Sequence, residues 1–301
     1  MKRSLRIRPI LKRLLQIAGI LILAQSIVDY RRSRAPLVAE TGVAAANGGE
    51  KVFIASIHWN NEKILRSHWV SAVLELVQHL GKDNVFVSVQ ESGSWDDSKG
   101  ALRELDQALE KAGVRRRIIL DETTHADEIG KTPAETDSGW IQTPRGAKEL
   151  RRVPYLARLR NLVLEPLEEL AGAGERFDRV LFINDVVFTV CTTFYAFSSP
   201  NSLADVSVPF QTQDVQRLLE TRGGDYAAAC SLDFSKPPAF YDTFALRDSD
   251  GHAALMQSWP YFRSRASRDA LKASEPVPVT SCWNGIGTQA LPNLSYISPG
   301  H

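Results

Sequence analysis

The sequence predicts an α/β fold in which a mostly parallel sheet is flanked by helices and preceded by an N-terminal signal-anchor helix. Three observations lead to this expectation. From residue 51 onward, short apolar runs rich in β-branched residues alternate with segments of helical periodicity. The strand–helix–strand order recurs, which is typical of parallel strands joined by crossover helices. A basic N-terminus and an apolar run precede this body.

Length and composition are those of an ordinary globular protein. The chain has 301 residues, enough for one large domain or two small ones, with 44% apolar and 24% charged residues. Its formal net charge of +1 gives no reason to expect a polyanionic partner, so we expect no nucleic-acid binding. Three cysteines exclude a dense disulfide scaffold and still allow one bridge.

The N-terminus has the pattern of a membrane-targeting segment. Residues 1–13 carry six basic side chains and no acid, which predicts a cytoplasmic tail. Residues 14–30 are predicted to form an uncleaved signal anchor, although their apolar run of about 15 residues is shorter than the ~20 of a full span. A cleaved signal peptide and a mitochondrial presequence therefore stay open. Residues 31–50 are small and polar, which predicts a stem or linker.

The body of the chain, residues 51–286, is predicted to be one domain of alternating strands and helices. Its apolar, β-branched runs predict strands at 51–57, 84–90, 115–120 and 179–183. Apolar side chains at helical spacing predict helices at 60–80, 101–112 and 149–170. Gly81 and Gly113 are expected to end the first two helices. Ligands of such sheets bind at the carboxyl ends of the strands, where loops 58–62 and 91–97 should lie.

The fourth predicted strand ends in Asn184 and Asp185. A carboxylate at this position suits a transferase whose donor is a nucleotide diphosphate sugar, because a divalent cation held there neutralises the leaving group. Hard oxygen ligands favour Mn²⁺ or Mg²⁺. A simple turn, which Asn and Asp both favour, is the alternative interpretation.

Three polar residues precede that strand on the predicted helix at 149–170: Arg158, Arg160 and Asn161. A guanidinium group binds phosphate through two parallel hydrogen bonds, which indicates a nucleotide-binding role. A solvated helix face is the alternative.

Other polar segments are less specific. Glu91 and Asp96 flank Ser-Gly-Ser-Trp, which suits either a sugar-binding loop or a loop with a helix cap. The histidines lack metal-ligand spacing and are interpreted as incidental: His58, His68 and His125.

A stretch rich in acids and aromatic residues contains Asp233, Asp242 and Asp248. Aromatic faces combined with carboxylates suit sugar binding, and an ordinary polar loop is the alternative. Asp96 and Asp97 could in principle form the acid pair of a glycoside hydrolase. Adjacent residues on one loop rarely face each other across a bond at the required ~5–10 Å, so we do not favour this class.

Seven ordered segments, taken together, resemble the cryptococcal mannosyltransferase family of fungi, named for an α-1,3-mannosyltransferase and a capsule-associated protein. The segments are IASIHWNNEKIL (54–65), VSVQESGSWDDSKGALRELD (87–106), YLARLRNLVLEPL (155–167), RVLFINDVVF (179–188), DVQRLLETRGGDYAAACSLDF (214–234), FYDTFALRDSDG (240–251) and PVPVTSCWNGI (276–286). Their common order makes the resemblance much more specific than any one of them.

The resemblance implies a GT-A-like glycosyltransferase fold that transfers mannose from GDP-mannose to a mannose-containing glycan, with α-1,3 linkage and retention. It also implies Mn²⁺ or Mg²⁺ as cofactor and a type II single-pass Golgi membrane protein with a lumenal catalytic domain. Asp185 matches the metal-site acid of the family. Nucleotide-sugar binding is then expected from Asn60, Asn61, Glu91, Arg158, Arg160, Asn161 and Asn184. The catalytic residues stay unknown, with Asp233, Asp242 and Asp248 as candidates.

Two segments depart from the family pattern. Residues 191–213 form an atypical insertion shortly after Asp185, and we interpret it as a translated intron or another gene-model error. Residues 287–301 form an atypical tail. These departures leave an alternative function open, a catalytically inactive, membrane-anchored subunit of a transferase complex that binds glycan or nucleotide.

Cys230 and Cys282 both lie in segments that resemble the family, whereas Cys191 belongs to the insertion. In an oxidising lumen the first two could form a disulfide. Two buried free cysteines are the alternative.

Overall fold

The structure is a computed structural model that describes residues 49–123, 140–144, 146, 148–186, 212–236, 239–241, 243–283 and 285–291, with positions 13, 16–21, 23, 24, 27, 127 and 130. Most of the predicted tail at 1–13, part of the anchor at 14–30, most of the stem and of the insertion, and Asp242 lie outside the described residues. No helix within these ranges is long and apolar enough to cross a membrane.

The chain divides into two compact units. One comprises residues 45–231 and 283–301, and the other comprises Met1–Ala44 and Leu232–Cys282. We call them the sheet unit and the inserted unit.

A six-stranded sheet forms the centre of the sheet unit. Its strands are β1 (Val52–His58), β2 (Val85–Ser92), β3 (Arg115–Asp121), β6 (Arg179–Ile183), β7 (Ala228–Cys230) and β12 (Ile286–Ala290). They lie in the order β3-β2-β1-β6-β12-β7. The pairs β1–β2, β2–β3 and β1–β6 are parallel, whereas β12 is antiparallel to both β6 and β7. The predicted α/β class with a mostly parallel sheet flanked by helices is therefore confirmed.

Helices cover both faces of this sheet. A helical segment follows β1 in three consecutive pieces, α1 (Glu62–Ile64), a π-helix (Leu65–Trp69) and α2 (Val70–Leu80). It packs together with α3 (Ser98–Lys111) on one face, around Trp69, Leu76 and Leu105. On the other face α4 (Arg152–Gly172) places Val163 and Leu167 against Phe53 and Phe86. Both faces of β1 and β2 are thus covered, which agrees with the burial of nearly every residue along these two strands.

The end of the domain differs from the expectation. The predicted boundary at residue 286 is too early, because Ile286–Ala290 is a strand paired on both sides in the central sheet. Residues 287–290 are therefore part of the fold and not an atypical tail. Smaller elements of this unit are the hairpin β4 (Trp140–Gln142) with β5 (Lys148–Leu150), and α5 (Thr212–Leu219).

The inserted unit has its own small apolar core around Phe240, Leu246 and Phe262. Its elements are β8 (Phe234–Lys236), β9 (Ala239–Phe240), β10 (Arg247–Asp248), α6 (Arg265–Ala273) and β11 (Val279–Ser281). Strands β8–β9 and β10–β11 pair antiparallel.

Candidate functional site

Polar side chains collect where β1, β2 and β6 end. His58, the last residue of β1, pairs with Glu91 near the end of β2, and β6 runs parallel to β1 on its other side. All three strands therefore deliver their following loops to the same edge of the sheet, as expected for an α/β ligand site. We call this edge the carboxyl edge.

Asp185 lies at the carboxyl edge directly after β6, and its carboxylate is exposed. Asn61, from the loop after β1, donates its Nδ2–H to Asp185 Oδ2 at 3.0 Å. The side-chain oxygen of Asn61, Oδ1, accepts the backbone N–H of Trp59 at 2.9 Å, which fixes the orientation of the amide. Two residues predicted from sequence to act at one site are thus in direct contact.

The backbone of Asn184 is held on two sides. Its N–H donates to the Gly285 carbonyl at 2.7 Å, and its carbonyl accepts from Trp69 Nε1 at 3.0 Å. Strand β6 therefore ends at a fixed position, with Asp185 as the next residue.

The Asp185 carboxylate suits the role of one ligand to a divalent cation whose other ligands do not come from protein side chains. Over the described ranges, no three His, Cys, Asp or Glu side chains are grouped to hold a metal ion. An exposed carboxylate oxygen is a suitable hard ligand for Mg²⁺ or Mn²⁺, which commonly take their other ligands from water and phosphate.

His58 is buried beneath this pair. The Ser56 hydroxyl donates to the Ile183 carbonyl at 2.5 Å, so its oxygen accepts the proton of His58 Nε2 at 2.8 Å. Nδ1 of His58 lies 3.3 Å from Asn61 Oδ1. Burial lowers the pKa of His58 to about 4, against smaller opposing effects of Asn61 and Asp185, so the ring is neutral at pH 7. His58 thus lies in a buried, hydrogen-bonded position beneath the site, and no metal-ligand grouping includes it among the described residues.

The loop after β2 is fastened to the loop after β1. Glu91 is fully buried, and its Oε1 accepts the backbone N–H of Ser94. Its Oε2 has no hydrogen-bond partner among the described residues, with Lys99 Nζ 4.0 Å away. Asn60 donates its N–H to Ser94 Oγ and accepts the N–H of Trp95, both at 2.8 Å. Glu91 and Asn60 therefore fix the conformation of the loop after β2 through hydrogen bonds to Ser94 and Trp95.

Asp96 and Asp97 have structural tasks. Asp96 accepts the N–H groups of Glu62 and Ser98, both at 3.0 Å, and Asp97 caps α3 by accepting the Gly100 N–H at 3.2 Å. Both carboxylates are committed to backbone groups, which argues against a hydrolytic acid pair.

Arg160 lies on the sheet side of α4, one turn before Val163. Its guanidinium carbon is 4.2 Å from the ring centre of Trp283, which packs against Phe182. The group is half-buried, burial lowers its pKa, and Nε has no hydrogen-bond partner in the part of the chain described. A cation in this state is a suitable anion receptor. Arg158 and Asn161 are exposed, and their nucleotide-binding role stays a prediction.

The three catalytic candidates fall within the range of the inserted unit, Leu232–Cys282. Asp233 is buried, and Asp242 lies outside the described residues. Asp248 is 1% exposed and accepts four backbone N–H groups, from Asp250, His252, Arg263 and Ser264. It organises a loop, and a catalytic role for it stays a prediction.

Both cysteines of the predicted pair, Cys230 and Cys282, are disulfide-bonded. Among the residues that sequence reasoning missed are His58 and Trp283. His58 could have been found because it directly follows the predicted buried strand at 51–57, whereas no local pattern places Trp283 beside Arg160.

Comparison with known proteins finds a family match. A family model described as Cryptococcal mannosyltransferase 1 matches residues 51–206 and 203–296. The two matched stretches meet at 203–206, within the predicted insertion. No curated protein and no solved structure gives a significant match.

Proposed function

The chain belongs to the cryptococcal mannosyltransferase 1 family, and we propose that it transfers mannose from GDP-mannose to a mannose-containing glycan, forming an α-1,3 linkage with retention. Membership supports a general glycosyltransferase function; donor, linkage and retention belong to the proposal. A GT-A-like fold also belongs to the proposal. The order of the parallel strands and the acid after β6 agree with it.

One observation carries the proposal at the level of chemistry. Arg160 is a half-buried guanidinium without a carboxylate partner among the described residues, and it lies beside Trp283. Two residues after Trp283, the Gly285 carbonyl accepts the N–H of Asn184. A diphosphate would satisfy the charge that burial leaves uncompensated, through charge-assisted hydrogen bonds. Asp185, the residue after Asn184, is the oxygen ligand that a cation-bound diphosphate needs.

Each residue then has a defined task. Asn61 holds one oxygen of Asp185, which leaves the other directed away from that contact. Arg160 binds phosphate oxygens of the donor, and Trp283 fixes the plane of its guanidinium. Together they orient the diphosphate so that the bond to the sugar can break at a defined place. Mn²⁺ or Mg²⁺ held by Asp185 would supply neutralisation of the leaving diphosphate. We name no nucleophile.

The test is a transfer assay on the full chain with GDP-mannose, Mn²⁺ and an α-mannoside acceptor. We expect mannosylated product and free GDP, and we expect Asp185→Ala to abolish metal-dependent turnover. Asp250→Ala, which removes an exposed acid of the inserted unit, is the matched control and should retain activity.

Calorimetry with GDP and Mn²⁺ separates the two candidate functions. GDP binding without turnover would favour the inactive subunit, for which the insertion after Asp185 is the motivating feature. Full activity of Asp185→Ala would remove this residue from the site.

We further propose a type II anchor at residues 14–30 and a Golgi location with a lumenal sheet unit. The basic residues before the apolar run support this orientation. Carbonate extraction of membranes from expressing cells tests the anchor, and release of the chain into the soluble fraction would contradict it.

A further inference from the structure

Two tryptophans are exposed at the carboxyl edge, one on each of two neighbouring loops. Trp59 follows β1 and is 43% exposed, and Trp95 lies in the loop after β2 and is 69% exposed. Their ring centres are 5.4 Å apart with planes inclined by 70°, so the rings form an open corner. Exposing two large apolar rings side by side costs hydrophobic free energy, which a ligand can recover.

The corner is held rigid by the loops beneath it. Asn60 follows Trp59 with a left-handed φ of 52°; its backbone N–H donates to Ser94 Oγ, and its side-chain oxygen accepts the backbone N–H of Trp95. Glu91 fixes Ser94 from the buried side, and Gly93 supplies the turn with a φ of 67°. The two loops should therefore lose little conformational entropy when a ligand binds, which favours affinity.

We propose that Trp59 and Trp95 form the acceptor subsite, where a pyranose of the mannose-containing glycan stacks on the indole of Trp95. This inference rests on the proposed function. A pyranose presents a flat apolar face of C–H groups that matches an indole, and hydroxyls on its rim. Neither indole N–H has a hydrogen-bond partner among the residues that the structure describes, so both can donate to those hydroxyls.

The size of the corner favours a sugar over a protein partner. A stable protein interface needs about 800 Å² from each side, far more than two partly exposed rings provide. The neighbouring side chains, Asn60, Asn61, Ser94 and Asp96, already bond within the loops. The apolar surface is thus confined to the two rings, about the footprint of one or two sugar units.

The position also suits an acceptor. Asn61 follows Trp59 and Asn60 in the same loop and donates to Asp185, the carboxylate proposed to hold the donor's cation. A glycan in the corner would therefore lie next to the donor site at the same edge of the sheet.

The test measures binding of α-linked mannobiose and mannotriose to the full chain by calorimetry, once with EDTA and once with GDP and Mn²⁺. We expect the native chain to bind in at least the second condition. Trp95→Ala should weaken that binding by about tenfold, the order of one lost aromatic contact. Trp59→Ala should also weaken it, and Trp95→Phe should weaken it less. The control variant Ile141→Ala, which truncates an exposed apolar side chain of the β4–β5 hairpin, should bind the glycans as the native chain does.

GDP binding, measured in parallel, keeps the two proposals apart. Glycan binding that is absent from the native chain in both conditions, or unchanged in both tryptophan variants, would overturn the subsite. If GDP fails to bind while the tryptophan variants still lose the glycan, the subsite stands and the proposed donor falls. Circular dichroism of each variant excludes loss of folding, which is not expected for exposed side chains.

Discussion

Arg160 carries a charge that the fold has partly removed from water. Its guanidinium stacks on Trp283, and its Nε has no hydrogen-bond partner in the described part of the chain. Such a group costs stability without a ligand and contributes binding energy with one. The residue is therefore informative about function in a way that the exposed Arg158 is not.

Replacing Arg160 by Ala should weaken GDP binding strongly while changing stability little. A charge-assisted hydrogen bond contributes about 1.5–3 kcal/mol, so we expect a loss of at least tenfold in affinity. Arg160→Lys should recover only part of it, because an ammonium group cannot form the planar stack on Trp283. Calorimetry with GDP and Mn²⁺ measures the affinities, with Arg103→Ala, which removes an exposed arginine of α3, as control. Equal affinity in Arg160→Ala and the native chain would contradict the assigned role.

His58 gives the protein a pH-dependent stability in a defined window. Burial lowers its pKa to about 4, below the ordinary 6.5 that we take for the unfolded chain. Between these values the unfolded state binds more protons, so stability is present above pH 6.5 and falls as the pH drops towards 4. The full effect is roughly 3 kcal/mol.

The variant His58→Gln should remove this contribution. Urea denaturation at several pH values from 4 to 7.5 would show a smaller slope of unfolding free energy against pH than in the native chain. His68→Gln, an exposed histidine in the same helical segment, should keep the native slope. An unchanged slope in His58→Gln would show that another group governs acid stability.

At the scale of elements, α3 begins at a cap that excludes a side chain beside it. Asp97 accepts the Gly100 N–H, and a Cβ added at Gly100 would lie 2.3 Å from both carboxylate oxygens of Asp97. Alanine at this position can therefore enter only if Asp97 leaves the cap.

A double-mutant cycle tests this coupling. Gly100→Ala alone should be near neutral, because losing a cap costs about 1 kcal/mol and the better helix propensity of Ala offsets about 0.5–1 kcal/mol. In the Asp97→Ala background the same change should stabilise, because no cap is left to lose. Urea denaturation of the four proteins gives a coupling of about 1 kcal/mol. Strict additivity would mean that the cap does not form.

The sequence predicted those elements whose burial is local and continuous. Strands β1, β2 and β6 lie in the middle of the sheet, so their apolar runs are unmistakable. Strand β12 also lies between two neighbours, but it reads Ile-Gly-Thr-Gln-Ala and owes its place to pairing with β6 and β7. Such pairing between distant segments leaves no local period, which is why the domain boundary was set too early.

The candidate site could likewise be predicted from the sequence only in part. Asp185 was predictable because an acid ending an apolar run must lie at a strand's end. Its contact with Asn61, the burial of His58 and the corner of Trp59 and Trp95 depend on three loops meeting at one edge. The spacing of residues within any one of these loops does not predict contacts between the loops.

At the scale of the whole molecule, the inserted unit depends on one carboxylate. Asp248 is buried, and its two oxygens accept N–H groups from Asp250, His252, Arg263 and Ser264. Burial acts to raise the pKa of Asp248, but the hydrogen bonds from these amides outweigh it and the pKa lies below its ordinary value. The stabilisation is thus present above the unfolded pKa of about 4 and is lost as the pH falls below it.

Asp248→Ala should therefore loosen the inserted unit selectively. It leaves up to four amides without their acceptor, and each buried one costs about 1–3 kcal/mol, so we expect a loss of at least 3 kcal/mol. Hydrogen exchange measured by mass spectrometry should speed up across 244–264 while β1 and β2 keep their protection. Asp248→Asn retains one acceptor oxygen, so its exchange rate should lie between those of the native chain and of Asp248→Ala. The control Asp250→Ala, which removes the exposed neighbouring acid, should exchange as the native chain does. Faster exchange in β1 and β2 to the same extent would show that the two units unfold as one, and native exchange in 244–264 would show that the loop does not depend on Asp248.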